Sequence, residues 1–440
     1  MRRSLLLALV VVVLTAAGWP WFISYRTAQA RADALPDVAP LTADYLYRGE
    51  LVSFWEGAVK DRVRNDMMSP RNLADQYLQR YRETGDIGDV LRALRMAQRS
   101  LDVMPTHNVA ADLTMSSALL TLHRFREALR YVRIASTYRH GDPSLVSREA
   151  SLDLELGNYD AARALLASVP VKAQRTNSEW QTVQARYDEI TGHLGDARVL
   201  LAQPAADLDS NFSAPAQARA WYHFREGELA FEAGDTKEAL AQEHVALARF
   251  PTYADALRDL ARFECAAHRW HECLADATRS ADLVPFPEAL GYKADAQRGV
   301  GDAAGAAQTD DLIETVERVG NSQHISDRLL AIYYSEHRLH PADALRIARN
   351  ELSVRDDIYT EDTLAWAAAM AGRWDEARRA SDKAIRFDTE DSRLQYHAGI
   401  IALHFGERDL AKKRLTRALA LNGAFHPFFA DDARAQLSQL

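Results

Sequence analysis

The sequence predicts an all-α fold, a right-handed superhelical solenoid of about ten stacked helix pairs preceded by one N-terminal transmembrane or signal helix. Three observations carry this. Short turns of glycine followed by a polar residue (Gly-Asp, Gly-Asn, Gly-Arg or Gly-Glu) recur, each with an alanine five residues after the glycine, as in Gly157–Ala162, Gly234–Ala239, Gly301–Ala306, Gly372–Ala377 and Gly406–Ala411. That small anchor residue repeats about every 34 residues, at Ala93, Ala128, Ala162, Ala197, Ala239, Cys273, Ala306, Ala344, Ala377 and Ala411. The 440-residue chain is 48% hydrophobic and 26% charged, which suits a folded and mostly water-facing body.

Each repeat reads as two helices. Twelve positions before the anchor stands a small residue, at Ser116, Ala150, Ala185, Gly227, Ala261, Ala294, Ala365 and Gly399. Seven positions after it stands a second, at Ala135, Ala246, Ser280, Ala384 and Ala418. Two antiparallel helices approach closely only where their contact positions are small. The turn glycine supplies a left-handed cap. Proline twelve residues after the anchor, at Pro105, Pro251 and Pro285, ends the second helix. A lone pair cannot bury its apolar faces, so neighbouring pairs must stack.

The N-terminus has a different character. Arg2 and Arg3 precede an uncharged stretch from Ser4 to Tyr25, followed closely by Arg26. As a helix that length spans a hydrocarbon core of about 30 Å. Trp19, Trp21 and Phe22 stand where an interfacial aromatic belt belongs. A retained anchor is the first reading. A cleaved signal is the second, since Ala28-Gln29-Ala30 fits a small-x-small cleavage site. Both readings export the body: inner-membrane anchored with the repeats in the periplasm, or secreted or periplasmic after cleavage.

The expected organisation follows: 1–25 anchor or signal; 26–70 linker and N-terminal capping helix; 71–202 repeats one to four; 203–214 linker loop; 215–422 repeats five to ten; 423–440 C-terminal cap. Residues 42–66 read as an amphipathic helix with Tyr45, Leu46, Leu51, Val52, Trp55 and Val59 on its apolar side. The polar segment around Pro204, Asp207, Asp209, Ser210 and Asn211 is the expected break between the two repeat blocks. Phe425, Phe428 and Phe429 are expected to close the last open interface.

Charge narrows the partners. The chain carries 53 basic and 62 acidic residues, a net −9, and its N-terminal arginines leave the body more negative still. Such a body repels phosphate backbones, so no nucleic-acid partner is expected. No nucleophile elbow, P-loop, dinucleotide fingerprint, H-E-x-x-H helix or haem-attachment site is present, and the repeats leave no block large enough for a catalytic domain. No enzyme activity, cofactor or metal site is therefore expected. The 14 histidines are scattered, without an acid at a recurring spacing. Cys265, His268, His271 and Cys273 match no zinc spacing. Two buried thiols are the leading reading there, and a Cys265–Cys273 disulfide is the alternative that an oxidising compartment allows.

The repeat resembles the tetratricopeptide (TPR) family, of the bacterial envelope type with an N-terminal membrane segment. The likeness covers roughly residues 71–422 and is fullest in the units anchored at Ala239, Ala377 and Ala411. It departs where the usual aromatic four residues after the anchor is Ala97, Val132, Leu166, Glu243, Ala277 or Leu415, and where Arg338-Leu339-His340-Pro341 replaces a turn glycine. The resemblance implies that first helices line a concave face which docks protein or peptide partners. Carried over by register, that face presents Trp221, Phe224, Glu228 and Phe231; then Asp255, Arg258, Arg262 and Cys265; then Tyr359, Asp362 and Trp366; and finally Arg393, Tyr396 and Ile400. The function expected is a non-enzymatic interaction scaffold, exported and membrane-tethered. The alternative is a glycan-binding component of a polysaccharide export or cell-wall machine, because aromatic rings also stack on sugars. The bland reading of Trp221, Phe224 and Trp366 is inter-repeat filling.

Overall fold

The computed structural model describes residues 42–61, 65–211, 213–322 and 328–440. The hydrophobic segment 4–25, the linker 26–40, and the side chains of Tyr45 and Leu46 lie outside the described residues. Among the described residues the secondary structure is wholly helical, with no strand, and Thr42–Leu440 forms one compact unit.

An N-terminal helix, α1 (Thr42–Lys60), precedes ten helix pairs: α2/α3 (Met68–Thr84, Ile87–Val103), α4/α5 (Val109–Thr121, Phe125–Tyr138) and α6/α7 (Pro143–Glu155, Tyr159–Ser168). After a one-turn α8 (Val171–Gln174) come α9/α10 (Ser178–Ile190, Leu194–Asp209), α11/α12 (Ala216–Glu232, Thr236–Arg249) and α13/α14 (Ala254–Ala266, Trp270–Leu283). The last four pairs are α15/α16 (Pro287–Gly299, Ala303–Ser322), α17/α18 (Arg328–Glu336, Pro341–Val354), α19/α20 (Ile358–Met370, Trp374–Ala384) and α21/α22 (Ser392–His404, Arg408–Leu421). A final helix, α23 (Phe429–Leu437), packs on the last pair. The fold is an all-α solenoid of TPR-like pairs, with one anchor residue in each.

The small residues do what the packing argument requires. All ten anchors are buried, as are the paired small residues on the first helices and the alanines seven further on. A Cβ at Gly399 would meet Leu415 at 2.8 Å, so that pair has no room for even one more carbon.

The turns share one cap. In units two to ten an amide donates back to the carbonyl five residues earlier, from Arg124 to Leu119, Asn158 to Asp153, Asp235 to Ala230, Arg269 to Glu264 and Glu407 to Ala402, all at 2.8–3.0 Å. This is the 6→1 bond of a Schellman motif, and it needs a left-handed residue just before the donor. Glycine fills that place in six units, while His123, His268 and Arg338 adopt positive φ elsewhere. The turn glycine is missing from these three units, the Arg338 unit among them, and the backbone geometry survives the loss.

Two expectations need correction. The predicted linker loop 203–214 is helical as far as Asp209, with Pro204 inside α10. Those added turns deliver the Asp209 carboxylate to Arg249 at 2.8 Å and His223 at 3.0 Å, both on unit five. The segment expected to separate two repeat blocks therefore ties them together. Cys265 and Cys273 are not free thiols but a disulfide, with Cα atoms 5.3 Å apart across the α13/α14 turn and both residues wholly buried.

The terminal elements close the stack. On α1, Val52 is buried, Trp55 and Val59 pack on the first core cluster, and Arg48 pairs with Glu83. At the other end Phe429 is buried against Tyr396 and Phe425 packs on the same cluster, whereas Phe428 remains largely exposed.

Successive coils of the solenoid touch. The turn of unit three meets the exit of unit eight, where Ile358 N–H donates to the Tyr159 hydroxyl at 2.9 Å and Arg355 reaches Glu155 at 3.0 Å. The turn of unit four meets the exit of unit nine, where Thr389 Oγ1 donates to the Ile190 carbonyl at 2.6 Å. The turn of unit five meets the exit of unit ten, where Asn422 Nδ2 donates to the Phe231 carbonyl at 2.6 Å. Unit one does the same with unit six, since a Cβ at Gly85 would lie 2.5 Å from Val284. The offset is five units each time, so between five and six units complete one coil.

Candidate partner-binding face

The first helices of units four to ten turn one side toward a shared interior. Of the predicted residues, Trp221, Glu228, Arg258, Arg262, Tyr359 and Arg393 keep part of their surface in solvent. Phe224, Phe231, Asp362, Trp366 and Tyr396 are buried. Phe231 stacks on Phe263 of the next unit at 4.2 Å, and Phe224 packs edge-on against Tyr253. Trp366 stacks on His397 at 4.2 Å, and Asp362 accepts from His397 Nδ1 at 3.0 Å. Tyr396 stacks on Phe429 and donates its hydroxyl proton to Asp432 at 2.7 Å. These five cement neighbouring units. With four of the six predicted aromatics occupied in the core, the sugar-stacking reading loses most of the surface that motivated it.

What remains is a charged face. Arg225 reaches Glu189 of unit four at 2.7 Å and also pairs with Glu228. Arg258 holds Asp255 at 2.8 Å and Asp259 at 3.1 Å. Arg393 stands 3.6 Å from Glu336 of unit eight, and His426 of the C-terminal segment approaches the other oxygen of Glu336 at 3.6 Å. The Arg186 guanidinium of unit four lies 4.9 Å from the ring of Tyr359 in unit nine, so the coil contact continues onto this face.

Environment separates the carboxyls. Burial alone would raise Glu336, but His426 and Arg393 bring it down to about 2. Burial likewise works against the Glu189 charge, and Arg186 with Arg225 more than offset it, leaving its pKa lowered. Glu232 goes the other way: burial, then Glu189 and Asp391, push it well above the usual carboxylate range. Glu228, Asp255 and Glu288 are also raised, chiefly by burial.

Several residues of this face were missed from sequence. Applying the same register to the units anchored at Ala197, Ala306 and Ala344 finds Arg186, Glu189, Glu288 and Glu336. Arg225, Glu232, Asp259 and Tyr292 lie one residue further along each helix, because the face is wider than a single stripe. Among the described residues no cluster of His, Cys, Asp and Glu could hold a metal ion, and no helix is long and apolar enough to cross a membrane.

No protein-family model matches the chain, and no curated protein matches it either. Among solved structures it is similar to the Cut9–Hcn1 hetero-tetramer of the APC/C, at 12% identity and TM-score 0.32, over 91% of this chain and 96% of the other. It is similar also to yeast Tom70, at 11% identity and TM-score 0.32, over 85% of this chain and 96% of the other. The fold assignment rests on the helix pairs and their shared caps.

Proposed function

We propose that this protein is a non-enzymatic interaction scaffold that takes segments of partner proteins along the interior face of its solenoid. The observation that carries the reading is that face itself: seven consecutive first helices contribute part-exposed charged and aromatic side chains to one surface. Mixed charge beside an anchoring aromatic such as Trp221 suits a protein interface. Membrane tethering or export is part of the proposal. It is supported by the apolar stretch 4–25 and by the Cys265–Cys273 disulfide, since disulfides persist in oxidising compartments.

A photo-crosslinking amino acid placed at Trp221 or Arg258 in the full chain, expressed in its native host, tests the scaffold reading. Discrete protein adducts are expected from these two sites and none from Leu410, an exposed position on a second helix. Equal adducts from all three, or none from any, overturns it. Mass determination of the mature N-terminus tests the tether.

A further inference from the structure

Units five to seven hold more negative charge on the inner face than their cations neutralise. Arg225 is committed to Glu189 and Glu228, and Arg258 to Asp255 and Asp259. Arg262 lies over the rings of Phe231 and Phe263, at 4.8 and 5.3 Å. Two half-buried carboxyls on this face, Glu232 and Glu288, form no ion pair among the described residues.

An independent feature points the same way. Glu243 rises from the second helix of unit five, is wholly buried, and has neither carboxyl oxygen hydrogen-bonded. Its Oε1 occupies the space at Gly227, where a Cβ would lie 2.3 Å away. The carboxyl thus fills the space that Gly227 leaves between the two helices of the unit, where the inner-face charges Glu228 and Asp259 act on it. Asp259 is buried as well, and its Oδ2 is without a hydrogen bond. Negative groups set in low-dielectric walls focus a potential that draws cations in. Burial is the first cause of the raised carboxyls on this face, and neighbouring carboxylates add to it.

We propose that the inner face of units five to seven receives an extended, Lys- or Arg-bearing segment of a partner protein, whose cationic heads pair with Glu232 and Glu288. This rests on the scaffold reading and names the partner's chemistry. The contact of Arg186 with Tyr359 across adjacent coils narrows the approach, which favours an extended segment. Arginines already on the face act against acidic segments by like-charge repulsion.

The test is fluorescence anisotropy on the intact chain, with a labelled Gly-Ser-Lys repeat peptide and a Gly-Ser-Glu peptide of equal length. The lysine peptide is expected to bind, to weaken as salt rises, and to lose about tenfold in affinity with Glu232→Gln plus Glu288→Gln. A control pair on the outside, Asp382→Asn plus Asp409→Asn, removes the same charge from exposed positions and is expected to change little. Equal losses from both pairs mean diffuse attraction to an acidic body and overturn the site. Absent binding of the lysine peptide, or equal binding of the two peptides, overturns it too. Crosslinked adducts at Trp221 persisting alongside such a failure leave the scaffold reading standing and remove only the partner chemistry.

Discussion

The hydroxyl of Tyr159 accepts a hydrogen bond from the backbone amide of Ile358 at 2.9 Å, and the two residues are 199 positions apart in the chain. Tyr159 opens the second helix of unit three, and Ile358 opens the first helix of unit nine. The bond is buried and sits within the recurring five-unit contact between coils. Ile358 N–H lies at the start of its helix, where no intrahelical acceptor exists. Tyr159→Phe therefore strands a buried donor, and a loss of about 1–3 kcal/mol is expected in a denaturant titration. A neutral result would mean that the coils separate in solution.

The same contact makes one turn glycine unlike another. Gly157 and Gly372 both hold left-handed φ angles, +79° and +72°. A Cβ at Gly372 meets nothing within 4 Å, whereas one at Gly157 would lie 2.0 Å from the Asp356 carbonyl oxygen. Gly372→Ala is expected to cost about 1–2 kcal/mol, the backbone strain alone. Gly157→Ala adds a backbone clash between coils and is expected to cost clearly more. Paired melts of the two variants check the difference.

The ten-unit register has its own test. Ala377 and Ala411 are wholly buried where the two helices of a pair meet. Leucine at either position is expected to cost about 1–3 kcal/mol by overpacking. Leucine at Leu410's exposed neighbour Asp409 serves as the reference, and a similar small effect at all three positions would contradict the register.

The regularity explains how much could be read without coordinates. Ala239 and Ala377 announce a close helix contact because only a small residue fits there, so fold and pairing were legible. The coil contacts were not. Nothing in the local pattern marks Tyr159 as a partner of Ile358, since the offset of five units is set by small rotations summed over many interfaces. The binding face was half legible for a related reason. The register that places Arg258 toward the interior also selects Trp366 and Tyr396, whose fate depends on His397 and Phe429 in neighbouring elements. Asp209 was misread because proline and polar residues looked like a loop, while its ion pairs to unit five favour a longer helix.

Glu243 stands four residues after its anchor, where an aromatic is usual in the family the repeat resembles. Burial, then Asp259 and Glu228, push its carboxyl well above the usual carboxylate range, against the weaker pull of Arg258 and Arg262. A raised folded-state pKa means the folded chain binds the extra proton. Its contribution to stability is thus complete below about pH 4.5, the unfolded value, and is lost progressively as pH rises. Glu243→Gln keeps the shape without the charge. It is expected to be more stable than the parent at neutral pH, with the gap closing on acidification. Melting temperatures across a pH series check the sign.

The disulfide offers a prediction in which the repeat supplies its own control. Cys273 occupies the anchor position that is alanine in the other nine units, so Cys273→Ala restores the ordinary packing residue. Cys265 lies near the end of the preceding helix, eight positions earlier. Breaking the bond therefore leaves a well-formed helix contact and removes chiefly the constraint on a short loop of the unfolded chain. Loop-closure entropy for so short a loop is about 2–3 kcal/mol. Cys265→Ala plus Cys273→Ala is expected to cost about that much, with an unchanged helical signal. The same double variant is expected to be indifferent to reductant, while the parent, unfolded and refolded in the presence of thiol, should fall to the stability of the variant. A parent protein whose denaturation midpoint is the same whether refolded with or without thiol would show that residues 265 and 273 do not contribute a covalent constraint.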